Sequence, residues 1–294
     1  MNAPLALNHR LNADLHCHSL VSDGTLTPEA LAARAKANGV QLWALTDHDE
    51  IGGQQRARDA ALREGLAYLT GTEISVTFAG VTVHIVGLGF DADDAALREG
   101  LARTRGGRQQ RAREMAAGLA KVGIDGAFEG ALPYVGNPEL ISRTHFARFL
   151  VERGICADTS EVFRRYLVEG KPGFVPHRWA ALGDAVRWIT QAGGVAVIAH
   201  PARYKFTPTE EYALFSEFKA HGGRGVEVVT GSHSAAEALR YAETATEFEL
   251  LASRGSDFHS PSESRIDLGT LPDLPGPLTP VWQALGDRVQ WPAA

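Results

Sequence analysis

Short apolar runs that end in polar clusters, with helix-like segments between them, set the narrowest limits on how this chain can fold. One run begins at 13, and others cover 42–46, 66–70, 81–90, 195–199, 225–229 and 250–253, each with the length and apolar content of a strand. Helical patterns lie between them at 28–38, 53–64, 185–192, 209–220 and 235–247. Thr27-Pro28 supplies an N-cap and a first helical residue, and Asn38-Gly39 supplies a stop. Strands alternating with helices build parallel βαβ units, whose sites lie at the carboxyl ends of the strands. The rhythm breaks between 97 and 180, where an arginine-rich helical stretch intervenes. These observations predict an α/β fold. Its body is formed by 11–96 and 181–270, a helical insertion over 97–180 caps the active site, and a Pro-rich tail, 271–294, packs on the body as irregular structure.

The strand ends carry an unusual set of side chains. His16 and His18 stand two apart, so they share one face of a strand, roughly 7 Å apart along it, while Cys17 points to the other face and into the core. Asp257 and His259 repeat the same spacing. Asp23, His48, Glu73 and His200 also fall at or just after predicted strand ends. In a closed α/β barrel those ends converge on one mouth. Imidazole and carboxylate donors without thiolate suit Mn, Zn or Fe. The donor count exceeds the needs of one ion and predicts two or three divalent metal ions, with Glu73 as a bridge; such clusters activate a water for attack.

The motifs Asp14-Leu15-His16-Cys17-His18-Ser19 with Asp23-Gly24, Thr46-Asp47-His48-Asp49, Gly71-Thr72-Glu73, Ala199-His200-Pro201 and Gly255-Ser256-Asp257-Phe258-His259 occur in order from about 11 to 270. This series resembles that of the polymerase and histidinol phosphatase (PHP) family. The resemblance implies a distorted (β/α)7 barrel with a trinuclear metal site. It implies that His16, His18, Glu73 and Asp257 hold one ion. Glu73, His200 and a further histidine would hold a second, and Asp23, His48 and His259 a third. The further histidine is His84, inside the fourth strand, or His145, in the insertion; the placement of His145 beside Arg143 favours it. Asp47 and Asp49 flank His48 and are expected to orient ligands from behind.

Within that family the insertion, and Arg143-Thr144-His145-Phe146-Ala147 in it, resemble a branch of nucleotide phosphoesterases. The resemblance implies hydrolysis of the 3′-phosphate of nucleoside 3′,5′-bisphosphates. The alternative is 5′-to-3′ trimming of short oligonucleotides; histidinol phosphate and a non-catalytic metal-binding role are the lesser readings. Arg143, His200 and Asp257 are the expected catalytic residues. A bisphosphate needs a second anion site, for which Arg143, Lys171 in a Gly-Lys-Pro-Gly turn, Arg203 and Tyr204 are candidates, Tyr204 also as a stacking surface for a base. Arg148 and most of the arginines between 98 and 113 read as a solvated helix face.

Composition narrows the partners. With 29 Lys plus Arg against 35 Asp plus Glu, the formal net charge is −6, which argues against a surface for duplex nucleic acid. A small nucleotide or a short oligonucleotide is the expected partner. Two cysteines cannot build a disulfide framework or a thiolate zinc cluster. The start of the chain lacks the pattern of a signal peptide, and no apolar run approaches the roughly 20 residues of a membrane span. A cytoplasmic protein is expected.

Overall fold

The structure is a computed structural model that describes residues 7–293. Seven strands pair in chain order: β1 (Ala13–Asp14), β2 (Leu42–Leu45), β3 (Ala67–Phe78), β4 (Val81–Leu88), β5 (Val195–Ile198), β6 (Gly225–Thr230) and β7 (Leu251–Gly255). The last strand returns to the first. Leu15 N donates to Arg254 O at 3.1 Å and Asp257 N to His16 O at 2.8 Å, and Cys17 bridges to Phe258. Gly255 permits this closure, because a Cβ there would stand 2.2 Å from the Cβ of His16. The result is the distorted seven-stranded barrel expected from the sequence.

Among the described residues the α-helical segments are, in order, α1 (Pro28–Ala37), α2 (Gln54–Arg63), α3 (Ala95–Arg105), α4 (Arg108–Ala120), α5 (Ala127–Ala131), α6 (Arg143–Glu152), α7 (Thr159–Val162), α8 (Leu182–Gln191), α9 (Pro208–Ala220), α10 (Ala235–Glu247) and α11 (Val281–Ala284). The expected start of α1 is realised: Thr27 accepts from Ala30 N at 3.1 Å, with Pro28 in the first turn. The Thr207–Glu210 and Ser234–Glu237 capping boxes start α9 and α10 in the same manner.

Three features depart from the sequence reading. The third strand does not stop at 70 but runs to Phe78, and β4 returns beside it antiparallel to both β3 and β5. Ala79 and Gly80 make the tight turn, both at positive φ (46° and 78°), as a two-residue hairpin of matching twist requires. Apolar alternation gives the same signal for a strand in either direction, so the reversal was not visible. Second, the insertion expected from 97 has its own core only from α4 onward. Ala112, Met115, Leu119, Phe146, Leu150, Val162 and Leu167 pack together there. Helix α3 instead buries Leu97 and Leu101 in the barrel cluster with Val186 and Ile189 of α8. Third, the tail is more than irregular padding. It contains α11, buries Trp282 completely and pairs Gln290 with Tyr68 of β3. No helix among the described residues is long and apolar enough to cross a membrane.

Candidate metal and phosphate site

The carboxyl ends of the parallel strands gather around one cavity of about 610 Å³, roofed by the insertion. His16 and His18 follow β1, His48 follows β2, His200 follows β5, and Asp257 and His259 follow β7. Glu73 lies within the long β3, and His84 stands opposite Ser75 across the β3–β4 pair. The reversed β4 is therefore what delivers His84 to the mouth. Among the described residues five non-glycine residues have positive φ, and three of them, Asp49, His200 and Asp257, belong to this mouth. Backbone strain of that kind persists where the surroundings fix it, and it collects at functional sites.

The donor atoms are closely spaced. His16 Nε2 and His18 Nε2 face each other at 3.1 Å. Glu73 Oε2 lies 3.4 and 3.3 Å from these two nitrogens, and Asp257 Oδ1 lies 3.5 and 3.2 Å from them. Four ligands about 2.1 Å from one ion stand about 3.4 Å apart at the corners of a tetrahedron. The other carboxylate oxygen of Glu73 meets His84 Nδ1 at 2.8 Å and His200 Nε2 at 2.9 Å. Asp23 Oδ1 lies 3.3 Å from His259 Nε2 and 3.8 Å from His48 Nε2. His48 Nδ1 approaches Glu73 Oε2 to 2.9 Å, yet neither atom has a partner with hydrogen-bond geometry. Asp23 Oδ1, His18 Nδ1 and His200 Nδ1 are likewise buried without one. Orphaned donors and acceptors packed at ligand spacing are costly unless a cation joins them, so the residues fit a divalent metal cluster.

Electrostatics point the same way. Burial opposes charge on Asp23, Glu73 and Asp257. The surrounding imidazoles, together with Arg203 beside Asp257, nevertheless hold all three carboxyls well below the usual carboxylate range. Burial also opposes charge on His16, but Glu227, Glu73 and Asp257 drive its imidazole well above its ordinary value. His18 is raised to about 10 by Asp257 and Glu73, again against burial. The cluster thus demands positive charge. His200, although Glu73 and Asp257 pull the other way, is pushed down to about 4 by burial and by Arg203.

Nine of the ten sequence-nominated metal ligands meet in overlapping groups: His16, His18, Asp23, His48, Glu73, His84, His200, Asp257 and His259. His145 does not join them. It sits in the first turn of α6, where its Nδ1 accepts from Ser142 N at 2.9 Å, and burial lowers its imidazole to about 4. The preference for His145 over His84 is therefore reversed. Lys171 is also absent from the cavity; its turn is solvent-exposed, and it is not a wall of the site. Arg143, Arg203 and Tyr204 do line the cavity. Arg203 Nη1 donates to Asp257 Oδ2 at 2.6 Å. The Tyr204 hydroxyl is taken up by the backbone, donating to Ala199 O and accepting from His84 N. Asp47 and Asp49 bond no imidazole. Asp47 holds the Ser19–Ser22 loop, and Asp49 holds Ser75 and pairs with Arg108.

Other side chains escaped the sequence reading. Glu227 in β6 is buried; its Oε1 bonds His16 Nδ1 at 2.7 Å and its Oε2 accepts from His200 N at 2.7 Å. A lone carboxylate in the apolar run Gly-Val-Glu-Val-Val was its available signal. Arg108 and Arg111, expected on a solvated face, line the cavity, and Arg108 is 5% exposed. Arg148, expected likewise, is buried and holds Glu263 of the barrel with two bonds of 2.8 and 2.7 Å.

Comparison with known proteins places the chain. The family profile described as PHP domain matches residues 14–128. A 3′,5′-nucleoside bisphosphate phosphatase of Chromobacterium violaceum is 51% identical over 282 residues, covering 96% of this chain and 99% of the relative. The chain belongs to the PHP family. Another PHP relative, a 5′-3′ exoribonuclease of Haemophilus influenzae, is 41% identical over 92% of this chain and 97% of its own. Among solved structures, one from C. violaceum described as an amidohydrolase with bound sulfate has a TM-score of 0.94 at 51% identity, covering 96% of this chain and 98% of the other. One from Bifidobacterium adolescentis, assigned as a metal-dependent phosphoesterase, has a TM-score of 0.79 at 28% identity, covering 94% and 96%.

Proposed function

We propose that this PHP protein is a metal-dependent phosphomonoesterase that removes the 3′-phosphate of nucleoside 3′,5′-bisphosphates, leaving a 5′-nucleotide. The observation that carries the reading is the shared cavity. A donor cage for divalent cations and five guanidiniums, those of Arg108, Arg111, Arg143, Arg203 and Arg265, face the same 610 Å³ space. That volume matches a mononucleotide-sized ligand. The 51% identical relative of matching length is named for this reaction, which supports it further.

His16, His18, Glu73 and Asp257 would hold one ion. Glu73, whose Oε1 meets both His84 and His200, would hold a second with them, and Asp23, His48 and His259 a third. Bound divalent ions of the Mn, Zn or Fe type supply an activated water and neutralise phosphoryl charge. The chain's own residues do the rest. Arg203 and Arg143 grip the oxygens of the phosphate being cleaved, Arg203 being fixed by Asp257. Glu227 holds the His16 ring with its Nε2 turned to the cage. Arg148–Glu263 keeps α6, and Arg143 with it, seated on the barrel mouth.

The test is phosphate release from a panel of adenosine 3′,5′-bisphosphate, histidinol phosphate and 5′-phosphorylated oligoribonucleotides with Mn added. The bisphosphate should be turned over with the highest kcat/KM. A preference for oligoribonucleotides would move the chain to the exonuclease activity of its 41% identical relative, and a preference for histidinol phosphate would refute the proposal.

A further inference from the structure

The cavity's charges do not balance in a uniform way. Arg108 is matched by Asp49, Arg203 by Asp257 and Arg148 by Glu263. The lining carboxylates Asp23, Glu73 and Asp257 are already committed to the imidazole cluster. Three lining guanidiniums remain among the described residues, and one of them, Arg265, is solvent-exposed, which leaves two on the inner walls. Arg143, at the start of α6, makes no ion pair and no hydrogen bond among the described residues. Arg111, one turn beyond Arg108 on α4, makes no ion pair there either. Its Nε donates to Val175 O at 3.1 Å, and its guanidinium lies over the Trp179 ring at 5.4 Å. Burial and repulsion from Arg143 and Arg108 lower Arg111 to about 10, and burial with Arg108 and Arg203 lowers Arg143. A fold that packs like charges against each other in a cleft, with no acid to offset them, has left room for an anion.

The arrangement also has a direction. Arg203 donates to Asp257 in the cage, whereas Arg111 bonds the Val175 carbonyl and lies over Trp179, touching no metal-ligand candidate among the described residues. Arg111 thus stands apart from the metal-ligand candidates, on the wall contributed by the insertion. We propose that Arg111 is the receptor for the phosphate that is not hydrolysed, so that Arg111 sets the preference for substrates carrying a second phosphate on the far side of the ribose. This inference rests on the phosphoesterase reading of the site. The ligand class is a nucleoside bearing a phosphomonoester at each end, or a 5′-phosphorylated nucleotide occupying the receptor alone.

Two measurements on the full-length protein decide it. First, kcat/KM is measured with Mn for adenosine 3′,5′-bisphosphate and for adenosine 3′-monophosphate, in wild type and in Arg111→Gln. Loss of a bidentate charged contact should lower the bisphosphate-to-monophosphate ratio by about 10- to 100-fold, mostly through KM, with Arg111→Lys in between. Second, calorimetry measures the binding of adenosine 5′-monophosphate to wild type and to Arg111→Gln, and the variant should bind about 10- to 100-fold more weakly. Because Arg111→Gln also loses the Val175 bond and the Trp179 contact, its melting temperature is recorded alongside, to separate a folding defect from a lost anion contact. An equal fall on both substrates, unchanged affinity for the 5′-monophosphate, or a lowered melting temperature with an unchanged ratio would overturn the proposal. If wild type cleaves neither substrate, the phosphoesterase reading fails, while the binding experiment still decides the role of Arg111.

Discussion

Replacing Glu227 by Gln tests whether a buried carboxylate outside the cage sets the cage's geometry. Glu227 accepts two short bonds, from His16 Nδ1–H and from His200 N–H, both at 2.7 Å. A glutamine of the same shape has one acceptor oxygen where the carboxylate has two. It can keep one of these bonds, but its amide NH₂ then faces the other N–H. One buried donor is orphaned, at a cost of about 1–3 kcal/mol. For a chain of this size that lowers Tm by roughly 2–12 °C. The second consequence concerns the metal. With Nδ1–H no longer held, the His16 ring is free to turn its Nε2 away from His18, Glu73 and Asp257, and loss of such an outer partner typically weakens metal binding by about 10–100-fold. The assay is a competition titration of Mn or Zn against a chelating indicator, paired with thermal melts at zero and saturating metal. Wild-type metal affinity in Glu227→Gln, with or without lowered Tm, would refute the claim that Glu227 positions His16.

Three further outcomes follow from side-chain placement. His84→Ala should lower the amount of metal retained after dialysis and the rate of phosphate release, because His84 meets Glu73 at 2.8 Å, whereas His145→Gln should retain the full metal content. His145→Gln should also change acid sensitivity. His145 is held neutral in the fold, with its imidazole lowered to about 4 by burial, while the unfolded chain binds a proton below about 6.5. Its contribution therefore erodes as pH falls from about 6.5 to about 4, by up to roughly 3 kcal/mol. Denaturant unfolding at pH 7 and pH 4.5 should lose less stability in the variant than in wild type, and equal losses would count against this assignment. Lys171→Ala should leave kcat/KM for the bisphosphate within about twofold of wild type, because Lys171 is exposed outside the cavity; a larger loss would place its turn over the substrate.

How much of this was legible follows from what each signal encodes. The metal constellation was readable because strand ends converge in a barrel and the donors recur after separate strands, as His16-x-His18 and Asp257-x-His259 do. The third strand was cut short because Gly71-Thr72 reads as a break, whereas in the fold Gly71 lets β3 pass close to the Leu45 carbonyl. That error hid the hairpin, and with it the reason His84 rather than His145 reaches Glu73. The arginines were misread for a different reason. A polar face on a helix looks the same in sequence whether it meets solvent or a polar cleft, so Arg108, Arg111 and Arg148 appeared solvated. The insertion's boundary was blurred because α3 and α4 are both arginine-rich, and only packing separates Leu101 of the barrel from Met115 of the second core. Glu227 carries no motif, since its role comes from two partners 211 and 27 residues away in the chain.

The most direct measurement of the central claim is phosphate release from adenosine 3′,5′-bisphosphate by enzyme first stripped with a chelator and then reconstituted with Mn, with the nucleotide product identified by chromatography. The account predicts a silent stripped enzyme and restored turnover on Mn addition. Adenosine 5′-monophosphate and one equivalent of phosphate should be the products, and Glu73→Gln should fail to recover. Full activity after stripping, or release of the 5′-phosphate to leave a 3′-nucleotide, would contradict it.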